Sequence, residues 1–362
     1  MTFATLDVAE LDGVWSWPKR ARRVQGGPDT VPYSLGGAGR SGGGPRSAGR
    51  MPGAQLAARA RLDRLASKVP EVMVKVTGRK HAGGAASAHL AYIGRHGQLE
   101  IETRDGDVID TKAAMIALGV EWDSDADAAR GQRVAAVSLV FSMPEGTPPS
   151  VVKDATRAVA QQTFGDTHDF VMALHTDTGR PHVHLTVAAA GENGRRYNPR
   201  KDDLARMRER FARELRSRGV AAEATPRRAR GQMRSGQAMS LYKQRVAHQL
   251  GERPLPNADA SVFNEVRSVI AGTKRFQHTP DEIAGGRNWR NARSAYTHAA
   301  DRLAQSDEPE DRALAAKVRG FVTAFPAPDT YRMAVGKSAL RELKPSTSQQ
   351  RQCDGPDRSN AR

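Results

Sequence analysis

The sequence predicts an α+β fold in which helices flank a central antiparallel sheet, with a disordered N-terminal extension and a helical C-terminal extension. Three observations carry the reading. Apolar or alternating runs at 72–76, 134–142, 169–175 and 182–189 have the length and period of strands. The last two are joined by Thr176-Asp177-Thr178-Gly179-Arg180-Pro181, too short for a parallel crossover, so they form a hairpin. Around them lie stretches with helix starts and stops, such as Pro148-Pro149-Ser150 and Gly219. A chain of 362 residues suffices for two or three folded units. These are set at 1–70 for a low-complexity extension, 71–230 for the α+β domain, and 231–362 for a mostly helical basic region with a loose tail.

Residues 24–54, with Gly36-Gly37, Gly42-Gly43-Gly44, Pro45 and Pro52, cannot bury enough apolar surface to offset their ordering entropy and read as disordered. The segment before them, with Trp15 and Trp17, is a candidate docking peptide, and Met51 a candidate start of the folded part. Leu56, Ala60, Leu62 and Leu65 suggest a helix over 54–68. Val72–Val76 reads as a buried strand ended by Thr77-Gly78, residues 85–95 as a helix closed by Gly97, and Leu99–Glu102 as a short strand before the turn Asp105-Gly106-Asp107. In the strand at 134–142, Val137, Leu139 and Phe141 face one side and Ser138, Val140 and Ser142 the other. A helix follows to about Gln162, then the hairpin, then a helix over 201–218. After Pro226 the chain is helical and polar.

Composition excludes several classes of function. No apolar run approaches the ~20 residues of a membrane span, and residues 1–20 lack the order of a signal peptide, so a cytoplasmic protein is expected. The single cysteine, Cys353, excludes intrachain disulfides and multi-cysteine zinc sites, which leaves His, Asp or Glu to hold any metal. The formal charge of +16 is unevenly placed: −5 over 71–194, +8 over 195–230, and +6 and +7 over 1–70 and 231–362. An acidic block followed at once by a basic one points to a site flanked by a polyanion-binding surface.

The densest chemistry lies in His175-Thr176-Asp177-Thr178-Gly179-Arg180-Pro181-His182-Val183-His184. Residues two apart on a strand share a face, so His182 and His184 point together, and the hairpin brings His175 beside them. Three imidazoles in one place suit a single divalent cation. The alternative is that one or two of these histidines merely face solvent, and three of ten histidines on one hairpin weigh against it. Tyr92, in His89-Leu90-Ala91-Tyr92-Ile93-Gly94-Arg95-His96-Gly97, is by itself an ordinary packing residue of an amphipathic helix. Arg195-Arg196-Tyr197-Asn198-Pro199-Arg200-Lys201 leads into a helix bearing Arg206, Arg208, Arg210, Arg213, Arg216 and Arg218. Asp202, Asp203, Glu209 and Glu214 cannot neutralise that excess, so phosphate binding is expected, with DNA contacts assigned to Arg195, Arg196, Asn198, Arg200, Lys201, Arg206 and Arg210.

In this order, from about Glu71 to about Lys243, these residues resemble a conjugative relaxase of the plasmid-mobilisation type, within the His-hydrophobe-His endonuclease superfamily. The tyrosine helix of that family matches Leu90-Ala91-Tyr92-Ile93-Gly94-Arg95-His96-Gly97, its central strand Val140-Phe141-Ser142-Met143-Pro144, and its metal signature His175, His182 and His184. The resemblance implies a relaxase-like sheet and a site- and strand-specific DNA nick at an origin of transfer. It also implies accessory relaxosome proteins and a type IV secretion coupling protein as partners, and travel with the transferred strand. Two departures stand out. Some relatives carry Asp-His before the Pro of the turn, where this chain has Gly179-Arg180, leaving Asp177 as the acid of the signature. About 70 residues also precede a core that usually starts near the N-terminus.

The expected chemistry is transesterification. A phenol is a poor nucleophile until deprotonated, so Tyr92 needs a base or an electrostatic pull. Asp177 is the first candidate base, directly or through a histidine, and His89 the second. The three histidines would hold Mg²⁺ or Mn²⁺, imidazole favouring Mn²⁺, to polarise the scissile phosphate. Lys75 and Arg95 are expected to contact DNA near the site. Tyr92 precedes His182 by 90 positions, whereas rolling-circle initiators place their tyrosine after the histidines. The remaining alternatives are a hydrolase using metal-bound water and a non-catalytic basic DNA-binding protein, the latter leaving the histidines unexplained.

Overall fold

The computed structural model describes residues 3–16, 52–127, 133–192, 194–232, 239–326 and 328–343. Most of the low-complexity stretch, Trp17, Met51 and Cys353 lie outside these residues. Contacts divide the chain into two units: Trp15–Pro226, and a second made of Met1–Val14 together with Arg227–Arg362. The architecture is mixed helix and sheet, as expected.

The first unit is built on a six-stranded antiparallel sheet of β1 (Met73–His81), β2 (Ile101–Thr103), β3 (Val108–Ile109), β4 (Val134–Ser142), β5 (Phe170–His175) and β6 (His182–Ala188). Their spatial order is β1-β4-β6-β5-β2-β3. The first strand does not stop at Thr77-Gly78. A register shift between Val76 and Gly78 leaves Thr77 unpaired, and pairing with β4 resumes from Gly78 to His81.

Period-2 alternation sorts the two faces of the sheet. Leu139, Phe141, Phe170, Met172, Val183, Leu185 and Val187 form one buried layer with residues of α5 (Pro149–Phe164) and α6 (Lys201–Ser217), among them Val159 and Phe211. Ala136, Val171, Ala173 and Ala188, on the opposite face, lie under α3 (Ala85–Ile93) and α4 (Lys112–Asp127) through Leu90, Ile93, Met115 and Trp122. Small residues on this face let the helices approach closely.

The fourth helix is absent from the elements read in the sequence, although Met115, Leu118 and Trp122 have helical spacing and pack on the core. It sits so close to α3 that a Cβ on Gly119 would lie 2.2 Å from Ser87 Cα. Its Asp123 carboxylate accepts from the Ala86 and Ser87 amides at 3.2 and 3.3 Å. Those are early amides of α3, which has no side-chain cap of its own. Thus α4 fixes both the depth and the start of the helix that carries Tyr92.

The expected 1–70 extension contains two helices, α1 (Val8–Trp15) and α2 (Pro52–Ala66). In α2, Leu62 and Leu65 are buried while Leu56 is exposed, and Arg64 donates to the nearly buried Glu223 carboxylate at 2.7 Å.

The second unit is helical: α1 joins α7 (Met239–Gln249), α8 (Asn257–Ile270), α9 (Pro280–Ala304), α10 (Pro309–Thr323) and α11 (Tyr331–Leu343). Tyr296 of α9 and Phe321 of α10 pack edge to face at 5.7 Å, and Val262, Val266 and Ala339 join α8 to α11. The N-terminal segment is part of this unit. Leu6 and Leu11 are buried, Asp311 accepts from the Ala4 amide at 2.8 Å, and Arg302 donates to the Thr5 carbonyl at 3.2 Å. Among the described residues, no helix is long and apolar enough to cross a membrane.

Candidate metal and nucleophile site

The β5–β6 hairpin places His175 opposite His182 in register, with His184 two residues along on the same face. This is the face covered by α3 and α4, at the end of the sheet beside the C-terminus of α3. One nitrogen from each of the three rings lies within 4.8 Å of the others. Ring centroids are 4.5 Å apart for His175–His184 and 5.3 Å for the other two pairs.

Hydrogen bonds settle which nitrogens are available. His175 Nε2 lies 2.8 Å from the Ile93 carbonyl, and His182 Nδ1 lies 3.1 Å from the Arg180 carbonyl. A carbonyl only accepts, so both nitrogens carry hydrogen, and His175 Nδ1 and His182 Nε2 keep their lone pairs. Such second bonds orient imidazole ligands. His184 Nδ1 is buried with no hydrogen-bond partner among the described residues.

Burial favours the neutral form of two of the rings, His175 and His184. Burial first, then His175 and His182, push the His184 pKa down to about 4 against the pull of Asp177. Burial also lowers His175, with the Ile93 carbonyl opposing. Neutral, oriented imidazoles with an orphaned buried nitrogen fit a divalent cation.

Tyr92 lies in the last turn of α3, one residue before Ile93. Its side chain is 65% exposed, and among the described residues its hydroxyl makes no hydrogen bond. The next residue supplies the carbonyl bonded to His175, so the helix end is tied directly to the histidines. A second tie joins Arg95 to Asp177 at 2.8 Å. Between them the chain does not end on Gly97 as expected. Gly94 caps α3, and Arg95, His96 and Gly97 follow with φ of 48°, 58° and 92°. Left-handed conformation in two successive non-glycine residues costs about 1–3 kcal/mol each and persists only where surrounding contacts enforce it.

The two candidate bases face elsewhere. The Asp177 carboxylate is turned to Arg95. Its desolvation is outweighed by a hydrogen bond from its own backbone and by Arg95, His175 and His182, which hold it below the usual carboxylate range. His89 is buried, with Nε2 directed at the hydroxyls of Ser138 and Thr186. Burial, then Lys80 and His184, lower its pKa to about 4. Its ring stacks against Tyr92 with centroids 6.4 Å apart. At Gly179 a Cβ would meet the Glu145 carboxylate at 3.1 Å, so an acidic side chain there would face a like charge.

The expected DNA contacts divide sharply. Lys75 is exposed on the histidine face, in the lateral row Lys75–Val140–His184 and therefore about 10 Å from His184. Arg195, Arg200 and Lys201 are exposed around the start of α6, where the Arg200 amide donates to Asp203 at 2.7 Å. Asn198 accepts from Arg79 of β1 at 3.1 Å. Three arginines make bonds within the fold. Arg196 donates to the Val134 carbonyl, Arg206 pairs with Asp203, and Arg210 reaches the Gln162 carbonyl and Thr163 at 3.1 and 3.0 Å. Their neighbour Arg208 donates to the Val74 carbonyl at 2.6 Å. Guanidinium forks bridge backbone carbonyls as readily as phosphates, and charge counting cannot tell the two apart.

Residues 95–220 match the family described as "Relaxase: MobA/VirD2-like, nuclease domain", a match that begins just past Tyr92 and takes in all three histidines. No curated protein matches the sequence significantly. A solved structure described as "Molecular Basis of Vancomycin Resistance Transfer in Staphylococcus aureus" is similar at 13% identity and a TM-score of 0.31, over 44% of this chain and 99% of that one. With its histidine hairpin on an antiparallel sheet, the segment 95–220 is a relaxase nuclease domain of the MobA/VirD2-like kind.

Proposed function

We propose that the protein nicks one DNA strand at an origin of transfer through Tyr92, and later rejoins it. The observation that supports this most is the His175–Ile93 bond at 2.8 Å, which sets an exposed tyrosine one residue from the histidine cluster. The Tyr92 phenol gives up its proton to solvent, its oxygen attacks the scissile phosphorus, a P–O bond forms, and the bond to the 3′ oxygen breaks. The 3′ oxygen takes up a proton and the 5′-phosphate stays on Tyr92. A phosphotyrosyl diester keeps the energy of the broken link, so attack by a 3′-hydroxyl restores the strand and frees the phenol.

His175, His182 and His184 would hold a divalent cation, with Mn²⁺ better suited than Mg²⁺ to three imidazoles. A cation there supplies Lewis-acid neutralisation of phosphate charge. Arg95 and Lys75 bring further positive charge to the same face. Asp177 acts through Arg95 as a positioning residue, holding the left-handed turn after the tyrosine helix against the hairpin. The reaction implies single-stranded DNA from the transfer origin, accessory relaxosome proteins and a secretion coupling protein as partners, with the protein working in the cytoplasm.

The test is incubation with labelled single-stranded oligonucleotides spanning the origin, followed by a denaturing gel. A labelled adduct stable to detergent is expected from the wild-type protein and none from Tyr92→Phe. An adduct that survives in Tyr92→Phe removes this tyrosine as the nucleophile. Nicking without any adduct indicates attack by water.

A further inference from the structure

Much of the basic charge expected to clamp DNA on α6 is spent on the fold, while a different basic face is not. In α9, residues 283–300 hold Arg287, Arg290 and Arg293 and no acidic residue. Helical spacing puts Ala292, Ala295, Tyr296, Ala299 and Leu303 inward. Arg287, Arg290, Asn291 and Ser294 are exposed on the opposite side. Some other basic residues of this unit are held by acids, as Arg245 is by Asp259 and Arg319 by Asp301, at 2.7 and 3.0 Å. Among the described residues, Arg287 and Arg290 form no ion pair. A cleft of about 340 Å³ opens beside them, lined by Asn288, Asn291, Ser294 and Arg228. Glu10 also lines it, with His298 Nδ1 3.1 Å from its carboxylate.

We propose that this face of α9, with its cleft, is a second DNA-binding surface that grips the phosphate backbone of duplex DNA. The inference rests on the reading of the chain as a DNA-nicking protein. Successive outward positions, at Arg287, Arg290 or Asn291, and Ser294, advance about 5 Å along a helix and so form one row of phosphate-binding side chains. Arginine with interleaved asparagine and serine is the residue set for phosphate contacts. Duplex is favoured over single strand because the outward positions from 287 to 298 carry no Phe, Tyr or Trp on which bases would stack. The aromatic residues of α9 are committed elsewhere. Trp289 Nε1 donates to the Pro326 carbonyl at 2.9 Å, and the buried Tyr296 hydroxyl donates to the Ala229 carbonyl at 2.8 Å.

The experiment uses the full chain carrying Tyr92→Phe, so that binding is read without cleavage, and a duplex of arbitrary sequence. Affinity is measured by fluorescence anisotropy across a salt series. Replacing both residues, as Arg287→Ala with Arg290→Ala, is expected to weaken binding about tenfold or more. It should also flatten the slope of log K against log salt by about 1.8, from two lost phosphate contacts. The charge-keeping pair Arg287→Lys with Arg290→Lys should restore most of the slope. An unchanged slope in the alanine pair overturns the proposal, as does a lysine pair that loses as much as the alanine pair. Absence of a tyrosyl adduct in the wild-type protein would instead overturn the nicking mechanism and leave the duplex measurement standing.

Discussion

Metal binding to the histidine cluster should appear as added thermal stability, with a magnitude that follows from linkage. A ligand that binds only the folded state adds RT ln(1 + [L]/Kd), about 2.7 kcal/mol at one hundred times Kd. The unit that holds the cluster spans Trp15–Pro226. At that size each kcal/mol moves the midpoint by about 2–4 °C, so saturating Mn²⁺ should raise it by about 5–11 °C. His182 is the ligand to remove, because it is only partly buried and its second nitrogen bonds a turn carbonyl rather than the core. If His182→Ala weakens binding about a hundredfold, the same Mn²⁺ concentration only half-saturates the site. The remaining shift is then RT ln 2, about 0.4 kcal/mol or 1–2 °C. The assay is differential scanning fluorimetry with Mn²⁺, with Mg²⁺ and with EDTA, and the order Mn²⁺ above Mg²⁺ is expected from imidazole ligands. No shift in the wild-type protein, or an equal shift in His182→Ala, refutes the reasoning.

Three further outcomes are expected. Gly119→Ala forces a Cβ to within 2.2 Å of Ser87 Cα, so it should cost about 1–3 kcal/mol, and a thermal midpoint equal to wild type would show that α4 does not set the height of α3. His89, at about 4 in the folded state against about 6.5 unfolded, leaves the unfolded chain binding more protons between those values. Its stabilising effect is therefore full above pH 6.5 and falls by about 3 kcal/mol as pH drops to 4; His89→Gln should flatten denaturant midpoints across that window, and an unaltered pH profile contradicts the assignment. Asp177→Asn and Arg95→Ala should slow single-turnover adduct formation by up to about 100-fold, with the double variant no slower than either alone. An effect of Asp177→Asn that Arg95→Ala lacks would make Asp177 a base rather than a positioning residue.

The histidine site was legible because strand period and turn length are local rules: His182 and His184 must share a face, and a short turn must return His175 to them. The helix over 201–217 was legible for the same reason, with Phe211 and Leu215 buried at helical spacing. What those arginines touch was not legible, since Arg208 finds the Val74 carbonyl across 134 positions of sequence. Nor was the turn after Tyr92. Gly97 suggested a helix cap, but the left-handed path begins at Arg95, where its pairing with Asp177 helps fix a conformation that arginine alone disfavours. The inward turn of His89 depends on Ser138 and Thr186, which occupy matching positions on strands 48 residues apart in sequence.

The membership of α1 in the helical unit has a mechanical meaning. Residues Met1–Val14 and Arg227–Arg362 belong together, so the nuclease unit is a loop of chain whose two ends are fastened in the other unit. A pull between the termini is therefore carried first by the contacts of α1, such as Ala4 with Asp311 and Arg302 with Thr5. The sheet and its histidine hairpin stay slack until α1 peels away. In a force-extension trace, release of α1 should thus precede any loading of the nuclease fold.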